Sequence, residues 1–327
     1  MKYKKIALLF PGQGSQYAGM GKEFYEHFPF VKEIYDEASE ILGYDLTDLC
    51  FKEHKLARFI HHGLDLNKTV YTQPAVFITS YAAYRVFEEK CKEEGIDPSI
   101  FILAGHSLGE YTALTVAGVM DYRDTLRVVV KRAEFMTEAG RSYPESGLMA
   151  VVSKRNDIDY QRLCELCKEY SLYISLNNTK RQVVVGGPKK KMDELSKRLK
   201  KLGEIGRILK VEGPFHTPIM RPAAAKLKKE LEGEDMKIAL RPIMANVAAE
   251  AIVDPKHIRE ELYSQLYHVV NWRGGIERVI ENGCDLFIEI GPKKVLSNMM
   301  KDIDSSIPVL NVEDMESLER TLNTLKQ

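Results

Sequence analysis

The 327-residue sequence predicts an α/β fold in which a large domain built on a parallel sheet is interrupted by a small ferredoxin-like domain. Three observations carry the prediction. Short, bare apolar runs ending in glycine turns, each followed by a stretch at helical spacing, describe buried parallel strands with crossover helices. A β, α, β, β, α, β alternation of about 65 residues lies in the middle of the chain, in the order of a split βαβ unit. Finally, Gly105-His106-Ser107-Leu108-Gly109 sets Gly-x-Ser-x-Gly between a strand-like and a helix-like stretch, the local context of a serine held on a sharp, hydrolase-like elbow.

Taken in order, KKIALLF (4–10) reads as a buried strand stopped by Pro11-Gly12. GKEFYEHFPFVKEIYDEASEILG (21–43) and TQPAVFITSYAAYRVFEEKCKEEG (72–95) are helix-like, the second stopped by Gly95. SIFILAG (99–105) is the next strand and LGEYTALTVAGVM the helix behind it. DYRDTLRVVVKRAEFMTEAG (121–140) predicts a further helix, with Asp121 as N-cap and Gly140 as C-cap. The texture then changes: GLMAVVS, YQRLCELCKEYS, LYISLNN, RQVVVGG, KKKMDELSKRLKKLG and IGRILKV make up the small unit. After it come RPAAAKLKKELEG, RPIMANVA, NWRGGIERVIENG and the strand-like DLFIEIG (285–291). The expected division is a catalytic domain of residues 1–140 plus 213–327 and a small domain of residues 141–212. An insertion into a surface connection costs little loop entropy, and the groove between two such bodies is the natural ligand site.

Composition narrows the function classes. Lysine plus arginine equals aspartate plus glutamate at 47 each, which gives no global reason to expect nucleic acid or an anionic membrane as partner. The basic helix-like run 189–201 reads as a solvated face. No apolar run reaches the roughly 20 residues of a spanning helix, so a cytoplasmic protein is expected, and the mixed charge gives no reason to expect more than a monomer. Five cysteines, Cys50, Cys91, Cys164, Cys167 and Cys284, are poor material for a disulfide framework. Cys164 and Cys167 fall in a helix-like segment without a second ligand pair, so no metal is expected.

Ser107 needs a base. Of the eight histidines, His27, His54, His61, His62, His257 and His268 fall in segments that look like exposed helices or loops. His216, in GPFHTP, lies between two prolines where the chain returns from the small domain, at the mouth of the expected groove; it is the candidate general base. His106 adjoins the serine on an elbow that points it away, which suggests a structural or substrate-lining role. No carboxylate between Ser107 and His216 announces itself as a triad acid: Asp157, Asp159 and Glu165 all lie in the small unit. A neutral acceptor could fix the imidazole tautomer equally well, so dyad and triad both stand. For the oxyanion, the Leu108 N–H is the first donor, and Gln13, in the turn after the first strand, is the choice for the second. Arg132 lies one helix beyond the elbow helix, where a hairpin would return it to the pocket; buried there, its planar fork would need an anion.

These residues resemble those of the malonyl-CoA:acyl carrier protein transacylases and the related acyltransferase domains of polyketide synthases. FPGQGSQYAGMG, YTQPA (71–75), GHSLGEYTAL, KRAEFM (131–136), NNTKRQVVVGG (177–187), GPFH (213–216) and EIGPKKVL (289–296) occur in the family's order along nearly the whole chain. The resemblance implies that Ser107 is acylated with His216 as partner, and that the amides of Gln13 and Leu108 form the oxyanion hole. It implies too that Arg132 binds a malonyl carboxylate, Gln265 orients the histidine through a neutral carbonyl, and Asn178 lines the small-domain side of the cleft. Phe215 before the histidine looks like the version associated with malonyl. Ala133 replaces the family's usual glycine, Thr179-Lys180-Arg181 replaces its small-residue, Pro, Gly run, and residues 54–69 look longer and more basic than expected.

The expected reaction is ping-pong transfer of malonyl from malonyl-CoA to the phosphopantetheine thiol of an acyl carrier protein, in fatty acid or polyketide synthesis, without a cofactor. An acyl hydrolase of the same fold that clears carrier proteins is the alternative, and a non-catalytic carrier-binding module the third reading. Arg132 argues against the hydrolase, and the Ser107, His216, Arg132 set argues against the module.

Overall fold

The computed structural model describes residues 3–52 and 64–327. His54, His61, His62 and most of the 54–69 segment singled out above lie outside the described residues.

The large body is organised around β1 (Ile6–Phe10), a strand buried at every position. On one side it pairs in parallel with β2 (Ile100–Gly105), and on the other with β9 (Leu286–Ile290), which in turn pairs in parallel with β10 (Val309–Val312). Beyond β2 lie β7 (Ile243–Met244), still parallel, and β8 (Ala251–Ile252), antiparallel, giving the order β10-β9-β1-β2-β7-β8. Burial on both faces explains why the central strands read as bare apolar runs rather than alternating ones.

Two helical predictions shift at their ends for stereochemical reasons. The 21–43 stretch divides into α1 (Lys22–His27) and α2 (Pro29–Leu42), because Phe28 precedes a proline and is extended, at φ −121° and ψ 113°. After α3 (Leu46–Phe51), α4 (Thr69–Glu93) starts ahead of the predicted residue 72 and carries Pro74 inside it. Behind the elbow come α5 (Gly109–Val116) and α6 (Tyr122–Arg141), the latter capped by the Asp121 side chain as expected. Gly140 is not its C-cap: the helix runs on to Arg141, and Gly140 is helical and packs against the Glu212 backbone, where a Cβ would lie 2.2 Å from the carbonyl oxygen.

Residues 146–208 form β3 (Ser146–Ser153), α7 (Tyr160–Glu169), β4 (Tyr173–Thr179), β5 (Gln182–Pro188), α8 (Lys189–Lys201) and β6 (Glu204–Ile208). They make an antiparallel sheet of order β4-β5-β3-β6, the ferredoxin-like arrangement, with its own core. Helix α8 buries Met192, Leu195 and Leu199 and turns its lysines outward. Strand β4 also bonds to the large body, through Asn177 N–H to the Val270 carbonyl at 2.9 Å and Val270 N–H to the Ser175 carbonyl at 3.0 Å. The chain then continues through α9 (Arg221–Glu232), α10 (Pro255–Ser264), α11 (Trp272–Glu281), α12 (Val295–Ile303) and α13 (Met315–Leu325). Among the described residues no helix is long and apolar enough to cross a membrane.

The register of β1 against β2 places Phe10 opposite Gly105, so the turns after both strands emerge side by side at the carboxyl edge of the sheet. They meet backbone to backbone. His106 N–H donates to the Phe10 carbonyl at 3.0 Å; a Cβ on Gly109 would lie 2.0 Å from that same carbonyl oxygen, and one on Gly12 would lie 2.4 Å from the His106 carbonyl oxygen. Gly109→Ala should therefore force the two turns apart, costing about 3 kcal/mol of stability. The expected result is a lowered thermal midpoint together with loss of Ser107 acylation; a variant with unchanged stability and acylation would show that the close contact is dispensable.

Candidate active site

Ser107 occupies the tip of the elbow at φ 52°, a left-handed conformation that a non-glycine residue holds only under constraint. Asn246, just beyond β7, supplies much of the constraint. Its Oδ1 accepts the Ser107 N–H at 2.8 Å while its Nδ2 donates to the Gly105 carbonyl at 2.7 Å, bracketing the elbow on both sides. Sequence reasoning missed Asn246, since its role depends on a contact with the elbow 139 residues away and RPIMANVA carries no local signal for it.

The Ser107 hydroxyl lies 2.7 Å from His216 Nε2, and His216 Nδ1 lies 2.7 Å from the Gln265 main-chain carbonyl. A carbonyl oxygen can only accept, so Nδ1 carries the proton and Nε2 is free to accept the hydroxyl proton. The neutral acceptor expected from the resemblance is thus a backbone group, and the structure has the geometry of a dyad. Asp159, one of the carboxylates considered above, instead caps α7. His216 sits at φ 58° in the 213–218 loop and is buried; burial, reinforced by the Arg132 charge, pushes its pKa down to about 3. The base is therefore neutral and competent throughout the physiological range.

Leu108, directly after the serine, and Gln13 lie on the two abutting turns. The main-chain N–H of neither donates to a group among the described residues. The Gln13 side chain turns the other way, donating to Thr69 Oγ1 at 3.2 Å, which leaves its amide as the only part suited to an oxyanion.

Arg132 is 1% exposed. Its guanidinium donates to Ser107 Oγ at 3.0 Å, to Gln265 Oε1 at 2.8 Å and to Gln73 Oε1 at 2.7 Å, and packs over the Tyr111 ring at 5.3 Å. Among the described residues Nε has no partner and no carboxylate hydrogen-bonds to the group. Burial lowers its pKa, yet arginine stays protonated in proteins, so the site holds a cation bonded only to neutral groups. Gln73 is the second residue that sequence reasoning missed as a contributor, although it falls in the quoted YTQPA block.

The other candidates are spread around this centre. His106 turns away from Ser107 and pairs its Nε2 with Asn178 Oδ1 at 2.9 Å, with its ring edge-on to Trp272; Asn178 in turn donates to Gln182 Oε1 at 2.9 Å. These contacts join the elbow to β4 and β5 rather than to the reacting hydroxyl. Phe215 is buried beside His216, and its carbonyl accepts from Ser175 Oγ at 2.8 Å. Of the unusual positions, Ala133 is buried in α6, and Arg181, in the β4–β5 turn, pairs with Asp302 of α12.

A serine hydroxyl on an elbow, bonded to a neutral imidazole and set beside a second turn, with two main-chain amides that have no partner among the described residues, defines the class of enzymes that pass an acyl group through a serine ester. The chain belongs to the family described as the acyl transferase domain, whose model matches residues 7–322. It is 39% identical over 325 residues to the malonyl CoA-acyl carrier protein transacylase of Bacillus subtilis (strain 168), covering 99% of this chain and 98% of that protein. It is 35% identical over 321 residues to the enzyme of the same name from Escherichia coli (strain K12), covering 97% and 99%. Among solved structures, the malonyl CoA-acyl carrier protein transacylase of Clostridium perfringens superposes with a TM-score of 0.87 at 36% identity, over 98% of this chain and 97% of that one. A malonyl-transacylase in complex with a type II PKS acyl-carrier protein superposes with a TM-score of 0.88 at 35% identity, over 98% and 99%.

Two expectations follow from the geometry. Asn246→Ala leaves a buried N–H and a buried carbonyl without partners, costing about 1–3 kcal/mol and loosening the elbow; Ser107 should react more slowly with a fluorophosphonate, and an unchanged rate would remove Asn246 from that role. The sign of the His216 shift makes the labelling rate flat as pH falls through 6.5, the ordinary histidine value, because a base with a depressed pKa stays unprotonated until about pH 3. A rate that halves near pH 6.5 would contradict it.

Proposed function

We propose that this protein transfers a malonyl group from malonyl-CoA to the phosphopantetheine thiol of an acyl carrier protein, in two half-reactions through a malonyl ester of Ser107. The observation that carries the malonyl assignment is the buried Arg132 guanidinium beside Ser107 Oγ, whose hydrogen-bond partners among the described residues are all neutral. A free carboxylate on the acyl group satisfies that cation bidentately, whereas a plain acyl chain leaves it without an anion.

In the first half-reaction His216 Nε2 takes the Ser107 proton as Oγ attacks the thioester carbonyl. The oxyanion accepts from the Leu108 and Gln13 N–H groups. Collapse breaks the C–S bond, and His216 returns the proton to the coenzyme A sulfur. In the second, the carrier thiol gives its proton to His216 and attacks the ester carbon; the C–O bond breaks and Ser107 regains its hydrogen. Every step uses groups of the chain and its two substrates, and no cofactor takes part. Neither half-reaction needs a carboxylate on the histidine, because the Gln265 carbonyl holds Nδ1–H in place. His106, Asn178 and Phe215 shape the cleft without taking a proton. A hydrolase of uncharged acyl groups has no use for Arg132.

The test is to mix the protein with malonyl-CoA or acetyl-CoA and a holo carrier protein, following acyl mass on both proteins. Malonyl should appear on Ser107 and then on the carrier, and Arg132→Ala should lower malonyl loading relative to acetyl by about 10–100-fold, the loss of one charge-assisted pair. An unlabelled Ser107, or a ratio that Arg132→Ala leaves unchanged, would overturn the assignment.

A further inference from the structure

Glu110, in the first turn of α5, is 2% exposed and one amide away from Arg132. Its Oε2 accepts from Gln265 Nε2, the amide whose Oε1 accepts from Arg132. Its Oε1 accepts the Asn246 N–H at 3.3 Å, so one carboxylate meets both the residue that clamps the elbow and the residue that carries the His216 carbonyl. The Gln265 amide thus links the Glu110 carboxyl at its donor end to the Arg132 guanidinium at its acceptor end.

We propose that Glu110 is a positioning residue that serves as the relayed counter-charge of Arg132 while the acyl pocket is empty, and that it takes up a proton when a malonyl carboxylate arrives to pair with Arg132. The inference rests on the malonyl reading of the preceding section.

The groups facing Glu110 favour such an exchange. Glu261 of α10, itself buried and itself raised above the usual carboxylate value by that burial, accepts the Val247 N–H at 2.6 Å and acts on Glu110 as a like charge. Arg132 of α6, reached through Gln265, is the opposing cation; Tyr111 on its own helix is held neutral by burial, and His216 lies beyond Gln265, neutral as well. Burial and Glu261 already hold Glu110 well above the usual carboxylate range. A malonyl carboxylate on Arg132 adds a third anion to a dry cluster with one cation, and the cheapest relief is protonation of Glu110. The overall step is malonyl-CoA plus Ser107–OH plus the Glu110 carboxylate plus a solvent proton, giving malonyl-Ser107, coenzyme A thiol and protonated Glu110. Because the malonyl-bound form holds the extra proton, loading is favoured as pH falls through the window between the two Glu110 pKa values.

The experiment loads the full chain with malonyl-CoA, and in parallel with acetyl-CoA, in weakly buffered indicator solution from pH 6 to 9, and counts protons taken up per acyl group found on the protein by mass. Failure to load malonyl would sink the functional reading itself. Given loading, the expected result is proton uptake with malonyl and none with acetyl, abolished per malonyl bound in Glu110→Gln. Should Glu110→Gln not fold, Glu261→Gln serves instead: removing the like charge moves the uptake window to lower pH when Glu110 carries the proton. Equal uptake with both acyl groups, uptake persisting in Glu110→Gln, or a window unmoved in Glu261→Gln, as when His216 takes the proton, would overturn the proposal.

Discussion

The site depends first on the backbone contact between the turns after β1 and β2. At Gly109 and Gly12 the two chains lie closer than any side chain would permit, and the parallel register of Phe10 with Gly105 brings them there. That contact does two jobs. It helps hold Ser107 in its left-handed conformation, and it leaves the amides of Leu108 and Gln13 on neighbouring turns without partners among the described residues. Amides fixed in this way need no reorganisation when charge develops on a carbonyl oxygen, which is why rigid donors stabilise it better than water does.

A second constraint is laid over the first. Arg132 arrives from α6 with its charge intact and, among the described residues, meets amide oxygens, a hydroxyl and an aromatic face. Burying a cation this way is expensive, and natural chains keep it where a ligand completes the pair. Gln73 and Gln265 aim the fork at Ser107 Oγ without neutralising it, so the unpaired charge and the nucleophile share one small space. The same charge adds to burial in keeping His216 unprotonated, so the group proposed to select the acyl chain also keeps the proposed base neutral.

Much of this was legible in the chain because it is local. Strand, elbow and helix around Ser107, the Asp121 cap of α6 and the split βαβ order of the small unit all follow from patterns within some tens of residues. The ends of helices were less legible where a tertiary contact overrides a residue's habit: Gly140 reads as a stop signal, but its missing side chain serves the approach of Glu212. Asn246 and Gln73 were invisible as contributors for a related reason. An amide that satisfies groups 139 or 59 residues away leaves no periodic trace in its own segment. Gln265 was placed by resemblance, yet its two ends act separately, the main-chain carbonyl on His216 and the side chain on Arg132, a distinction that only coordinates could draw.

The use of a backbone carbonyl where many serine enzymes place an aspartate follows from the same electrostatics. A carboxylate on His216 Nδ1 would sit next to Gln265, within the group of atoms that already contacts Arg132. It would pair with the guanidinium through a dry medium and spend the charge that an incoming carboxylate should find free. It would also raise the pKa of His216 and open the base to protonation. A main-chain carbonyl fixes the tautomer, accepts one hydrogen bond and contributes no net charge. The buried carboxyl of Glu110 is kept one residue further out, where the Gln265 amide stands between it and the fork. Orientation of the base and selection of the acyl group are thereby separated, and each can be strong without weakening the other.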